Sequence, residues 1–338
     1  MSTTSRVGEL TLSPKPRIEA VSVRRFDDLT DYEALAALMR LANTEDAIPY
    51  LPTAQNLEVE MRNSTGIVPA DDVVVVELDG RLIASSVVER NMRDGVPTYE
   101  LSGTVDPTHR RLGIGTSLMA SALGHARARA NREDPDRDVK VGAFAEETEV
   151  GHQALLLAAG MLPVRHFFLM RRSDLATIPD VPLPDGFEIR PVSEDQWRTI
   201  FDAESEAFRD HWGHREMDDN DFQMTFTMPE LDTDLWVAAW AGDDVAGVVQ
   251  NWIWPEENER LGVKRGWLEH ISVRRPWRRR GLARAITAAA LVKIREAGMD
   301  DAMLGVDSEN PNGALGLYEG LGFIVQSRGA AYNRILDR

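Results

Sequence analysis

The sequence predicts an α/β fold built as two tandem domains, each a mixed, mostly antiparallel sheet flanked by helices. Three observations carry that prediction. The chain has 338 residues, the length of two ordinary domains, and each half, at roughly 150 residues, is large enough to bury its own core. One pattern occurs twice: V-D-P-T-H-R-R-L-G-I-G-T-S-L-M-A-S-A-L from Val105, and V-R-R-P-W-R-R-R-G-L-A-R-A-I-T-A-A-A-L from Val273. Seven of these 19 positions are identical at a constant offset of 168. Around each copy the elements also follow one order, with hairpins early and strand–helix crossovers late.

Residues 1–16 are polar and read as a flexible tail without the apolar core of a secretory signal. The first domain spans 17–172. Ile18–Val23 alternates like an edge strand, and Tyr32–Ala42 carries Leu35, Leu38, Met39 and Leu41 at helical spacing. Val73–Leu78 and Arg81–Val88 flank Asp79-Gly80, a hairpin signal. Tyr99–Val105 reads as a strand, Gly115–Ala130 as a helix, Val139–Ala145 as a strand and His152–Ala159 as a short helix. Residues 173–185 contain three prolines and no helical period, so they read as a linker. The second domain, 186–338, repeats the order: strand 187–191, helix 194–208, hairpin strands 235–240 and 245–252, strand 267–273, helix 282–297, strand 301–306, helix 312–320. Phe323 then opens a final strand pair.

Composition narrows the function classes. No apolar run is long enough to span a membrane. No cysteine is present, which excludes disulfides, thiolate metal sites and an acyl-cysteine intermediate. A net charge of −17 disfavours nucleic acid as a partner and suits cationic substrates such as amines. The expected location is the cytoplasm. The local exception is Arg274–Arg280, with five arginines in seven residues, beside the second glycine pattern.

That pattern has a physical use. Glycines let the backbone approach a ligand, and the helix that starts there aims free N–H groups at it, which makes an anion site suited to a pyrophosphate. Combined with a preceding strand, fixed arginines and a repeat, it resembles motif A of the GNAT superfamily of N-acyltransferases, Q/R-x-x-G-x-G/A. A second element, V306-D-S-E-N-P-N-G-A-L-G-L-Y-E-G-L-G-F323, resembles the family's motif B. The tandem layout, with motif B well formed only in the second half, is similar to that of mycothiol synthases.

The resemblance implies an acetyl-CoA-dependent N-acetyltransferase. It places coenzyme A against Ile271, Val273, Arg278, Arg279, Gly281, Ala283, Arg284 and Asn310, and in the first copy against Val105, Arg110, Arg111, Gly113, Gly115 and Thr116. It makes Tyr318 the proton donor to the departing thiolate; packing in the core is the plain alternative. The residues themselves put Glu269 forward as the base that deprotonates the amine, on one face with Ile271 and Val273 by strand alternation. An exposed strand glutamate is the alternative. His270 then faces the other way unless a bulge intervenes. In the first domain Leu156 stands for Tyr318, Met161 for Phe323 and Leu101 for Glu269, with Glu100 adjacent, so catalysis is expected in the second domain.

His211, Trp212, Asp218, Asp219 and Asp221 either hold a cationic acceptor or belong to a solvated loop. His211 and His214 at spacing three do not make a zinc site without a third ligand. The expected acceptor is a primary amine of a small molecule, attacking directly in a ternary complex without a metal. The alternatives are a protein N-terminus or lysine as acceptor, and a non-catalytic acyl-CoA-binding sensor.

Overall fold

Asp79 and Gly80 both take positive φ, 50° and 76°, and the turn they make joins β2 (Val73–Leu78) to β3 (Arg81–Arg93). That is the left-handed geometry a tight hairpin requires. The computed structural model describes residues 10–310 and 312–337. It divides into unit 1, residues 1–164 with 330–338, and unit 2, residues 165–329.

In unit 1, β1 (Val21–Arg25) pairs antiparallel with β2, and β3 pairs antiparallel with β4 (Val96–Val105). β4 runs parallel to β5 (Lys140–Glu146), but only over Thr98–Glu100 against Lys140–Gly142. α1 (Tyr32–Glu45) and α2 (Ala54–Asn63) cover one cluster with Phe26, Val73 and Val75. A one-turn α3 (Pro69–Asp72) precedes β2. α4 (Ile114–Glu133) buries its alanine-rich face against β4 and β5 through Ala122, Ala126 and Ala130. α5 (Val150–Ala158) follows.

The next strand is β6 (Leu162–Arg172). In unit 2 it pairs antiparallel with β11 (Asp301–Asp307) from Phe167 to Arg172. The order continues with β7 (Glu188–Arg190), α6 (Trp197–Phe208), α7 (Asp219–Thr227), β8 (Val237–Ala241), β9 (Asp244–Trp252), α8 (Pro255–Leu261), β10 (Arg265–Val273) and α9 (Leu282–Glu296). β8, β9 and β10 are antiparallel, and β10 is parallel to β11. α9 packs tightly on β10 at Gly266, where any Cβ would fall 2.6 Å from Ile294. Asp301 is buried between Arg265 (2.8 Å) and Arg171 (2.6 Å), which satisfies a charge that would be costly alone.

Several boundaries differ from those the sequence suggests. The units divide between 164 and 165 rather than at 173–185, because residues 165–172 form a strand of unit 2. The chain ends as one continuous strand, β12 (Ile324–Ile335), not a strand pair. Its later residues Ala330 and Tyr332, with Leu336 just beyond it, complete the core of unit 1. Residues 1–9 of the expected tail lie outside the described residues, while Leu12 is buried against Val23 and Val76. Residues 219–227 form a helix because Asp218 and Asp221 make a capping box.

Candidate active site

The site begins with a parallel pair that comes apart. β10 and β11 pair from Arg265 to Trp267 against Asp301 to Met303, and beyond that the two strands no longer pair with each other. On its other edge β10 stays bonded to β9 through Val273. The Arg274 N–H donates to Ala246 on β9 at 3.0 Å. By alternation the N–H groups of Ile271 and Val273 turn to the open side. A gap faced by these amide donors thus lies between two strands. Unit 1 repeats it: pairing of β4 and β5 ends at Glu100, and Asp106 N–H donates to Ile83 at 2.8 Å. There a cavity of about 420 Å³ opens, lined by Leu101–Val105, the glycine loop and Leu155.

Below each gap lies the loop. Gly281 starts α9 at φ 84° after Arg279 at 61°, and Gly113 starts α4 at φ 90° after Arg111 at 65°. Only glycine adopts such values without strain. The N–H groups of residues 282–284 have no preceding turn to bond. The first arginine of each motif serves the loop itself. Arg278 donates to the carbonyls of Val273 (2.8 Å) and Ala207 (3.0 Å) and pairs with Asp210. Arg110 donates to the carbonyl of Val105 (3.3 Å) and grips Asp46 at 2.6 and 2.7 Å. Arg279 and Arg280 carry no hydrogen bond or ion pair among the described residues, and Arg284 reaches only the Gly320 carbonyl at 3.4 Å. The cationic groups left for an anion are therefore Arg279, Arg280 and Arg284. A Cβ at Gly115 would meet Leu155 at an ordinary 3.6 Å, so the alanine at the matching position 283 fits.

The loops share a feature that sequence reading overlooked. Pro14-x-Pro16 and Pro182-x-Pro184 recur at the same offset of 168. A Cβ at Gly113 would lie 3.6 Å from Pro16, and one at Gly281 would lie 3.8 Å from Pro184. Arg17 N–H also donates to the Leu112 carbonyl at 2.7 Å. Each loop is thus backed by its own proline segment.

Residues 35–133 and 197–323 match the family model described as the acetyltransferase (GNAT) family.

The chain belongs to the GNAT acetyltransferase family.

This N-acetyltransferase is 28% identical over 326 residues to the mycothiol acetyltransferase of Salinispora arenicola (strain CNS-205), covering 94% of the chain and 98% of the relative. It is 32% identical over 237 residues to that of Salinispora tropica, covering 67% and 71%. Its fold matches a GCN5-related N-acetyltransferase from Sphaerobacter thermophilus with a TM-score of 0.71, at 23% identity and 95% and 97% coverage. A tandem GNAT protein from the clavulanic acid biosynthesis pathway gives 0.65, at 17% identity and 94% and 99% coverage.

The residues expected to act as acid and base lie on two elements of unit 2, Glu269 on β10 and Tyr318 on the helix that follows β11. Tyr318 sits on α10 (Ala314–Glu319), 7% exposed, in the cluster that holds Leu304 and Val306 of β11. Its ring meets Phe323 edge-on at 6.1 Å. Burial holds its phenol well above the ordinary range, so it stays protonated. Asn310 accepts from the Asn312 N–H at 2.9 Å, so its side-chain oxygen shapes the turn before α10.

Glu269 departs from simple alternation. The register of β10 against β9 shifts between Leu268 and His270, which makes Glu269 the extra residue of a β-bulge. Leu268, Ile271 and Val273 share the core cluster under α9. Glu269 and His270 are both re-aimed at the aromatic side. Trp254 Nε1 lies 3.5 Å from Glu269, and the His270 ring lies 5.2 Å from Phe208 of α6. Glu269 is exposed, yet surrounding protein raises its pKa; the neighbouring His270 and the Trp254 donor oppose that rise.

The other acceptor-side residues part company. The His211 ring lies 4.3 Å from that of Phe208, tilted by 54°, and burial lowers its pKa. Trp212 is 41% exposed beside Phe167. Asp218 caps α7, Asp219 pairs with Arg198 at 2.6 Å and Asp221 with Arg215. Those carboxylates are engaged in local structure. Among the described residues no group of three or more His, Asp or Glu side chains is arranged to hold a metal, and no helix is long and apolar enough to cross a membrane.

Proposed function

We propose that unit 2 transfers acetyl from acetyl-CoA to a primary amine of a small molecule, by direct attack in a ternary complex. The observation that carries this reading is the opened β10–β11 pair, with the glycine loop at one end and Glu269 and Tyr318 beside it. The pyrophosphate would lie on the free N–H groups at the start of α9, with Arg279, Arg280 and Arg284 for the remaining phosphate charge. The amides of Ile271 and Val273 would donate to the thioester carbonyl as it gains negative charge. Glu269 would take the amine proton, and Tyr318 would give its proton to the thiolate as the C–S bond breaks. The relatives named mycothiol acetyltransferase support a small-molecule acceptor related to mycothiol.

In the same reading unit 1 binds acetyl-CoA in its cavity without turning it over. Leu156, Leu101 and Met161 are buried where unit 2 has Tyr318, Glu269 and Phe323. The test is thiol release from acetyl-CoA across a panel of primary amines. Release that depends on a small amine supports the reading; release with peptides alone would replace the acceptor class, and none with any acceptor would leave only binding.

A further inference from the structure

Unit 2 contains a buried carboxylate that the chemistry above does not use. Glu204, in the middle of α6, is 1% exposed. One of its oxygens accepts from Gln250 Nε2 on β9. The other lies 3.1 Å from His270 Nδ1, off line for a hydrogen bond. That nitrogen is buried, while the His270 side chain as a whole is 41% exposed. The ring is therefore anchored at one nitrogen and open elsewhere. Its anchoring depends on the bulge at Glu269, because an unbulged strand would turn His270 away from its present side.

The repeat supplies an internal comparison. At the offset of 168, Glu204, Glu269 and His270 correspond to Ala36, Leu101 and Ser102. Ala36 is fully buried in the apolar cluster under α1, and β3 and β4 pair in unbroken register past Leu101. The unit without the tyrosine thus also lacks the buried acid, the histidine and the bulge. A buried, incompletely bonded carboxylate is costly in a core, so its presence in one unit alone calls for a use.

We propose that Glu204 is a positioning residue for acetyl transfer: it holds the His270 imidazole as a cation beside Glu269, so that Glu269 stays ionised and ready to accept the amine proton. This rests on the reading of Glu269 as the base. Burial pulls the His270 pKa down, and Glu204, with Glu269 behind it, outweighs burial and raises it. His270 in turn lowers the pKa of Glu269 against the desolvation that raises it. The titratable groups facing His270 are Glu204 from α6, Glu269 from its own strand and His211 from the loop after α6, whose own pKa burial lowers. Proton movement balances. Glu269 accepts one proton as the C–N bond forms, and the thiolate released by C–S cleavage accepts one from Tyr318.

The test uses the full chain. The His270 ring is titrated by NMR, assigned by its loss in His270→Gln, and kcat/KM is measured against pH with a small amine. In Glu204→Gln the His270 midpoint should fall by about one pH unit or more, since an opposite charge at this range typically shifts a pKa by that much. The acid limb of kcat/KM should move to higher pH. His270→Gln should move that limb equally, the double variant no further, and Glu204→Asp should restore part of the wild-type profile. An unchanged His270 midpoint, or an activity loss uniform across pH, would overturn the proposal. If Glu269→Gln instead keeps the wild-type limb, the base reading fails, and the His270 midpoint still reports separately on Glu204.

Discussion

Units 1 and 2 share a frame and differ in what fills it. Both open a parallel strand pair after three residues of pairing. Both start a helix at a glycine with φ near 90°. Both tie the first arginine of the motif to a strand carbonyl and to an aspartate. The aspartates are not repeat-related, since Asp46 lies four residues past the position that matches Asp210. The helix start at a left-handed glycine is therefore duplicated, although its supporting aspartates are not. The residues proposed as acid and base are not duplicated. In unit 1 the positions of Glu269 and Tyr318 are filled by Leu101 and Leu156, which are buried. The frame recurs in both units, while the residues proposed to handle protons have apolar counterparts in unit 1.

The largest expected break in that contrast is at Tyr318. Phenylalanine there keeps the ring on Phe323 and removes the proton donor. Steady-state assays should show kcat down by about 10²- to 10⁴-fold, the usual contribution of a general acid. KM for acetyl-CoA should move little, because the proton is needed only as the thiolate leaves. A variant at full kcat would make Tyr318 a packing residue.

Next in size is Glu269→Gln. As a base, Glu269 acts when deprotonated, and its raised pKa means kcat/KM should rise with pH through a limb above the ordinary glutamate range. In the glutamine variant that limb should vanish, with activity down about 10²-fold or more. A profile that superimposes on wild type would remove Glu269 from the chemistry.

The smallest effect concerns stability. A carboxyl whose folded pKa is raised stabilises the fold while protonated, and that contribution is lost as pH rises through the folded pKa. Glu269→Gln should therefore melt at a slightly higher temperature than wild type at neutral pH, with the difference shrinking in acid. A lower melting temperature at neutral pH would mean that the charge is compensated in the fold.

How legible this was in the sequence depended on whether the determinant was local. The Asp79-Gly80 hairpin, the two glycine loops and the amphipathic helices are written in adjacent residues, and they lie close to where the pattern puts them. The helix at 219–227 is also written locally, in the capping-box spacing of Asp218 and Asp221, although the same carboxylates read equally as an acceptor site or a solvated loop. The placement of 165–172 and 330–337 was not legible, because it depends on strand pairing and core packing across long sequence separations. The bulge at Glu269 was invisible for a related reason. One extra residue in a strand leaves the composition unchanged and shows only against the partner strand. Glu204 was legible only as a charge on the apolar face of α6, three residues past Phe201 and four past Ile200, with nothing in the sequence to name its partner.

The central claim is that both loops are built to bind and only one supports turnover. The most direct measurement is the rate of acetyl transfer per chain in Gly113→Trp and Gly281→Trp, each checked for a wild-type circular dichroism spectrum. At φ of 90° and 84° any side chain is strained, at about 1–2 kcal/mol per residue, which is below the stability of an ordinary domain. Tryptophan also blocks approach of a ligand to the loop. The account predicts near-complete loss of transfer from Gly281→Trp and retention of a substantial fraction by Gly113→Trp. Equal loss from both, in folded protein, would contradict it.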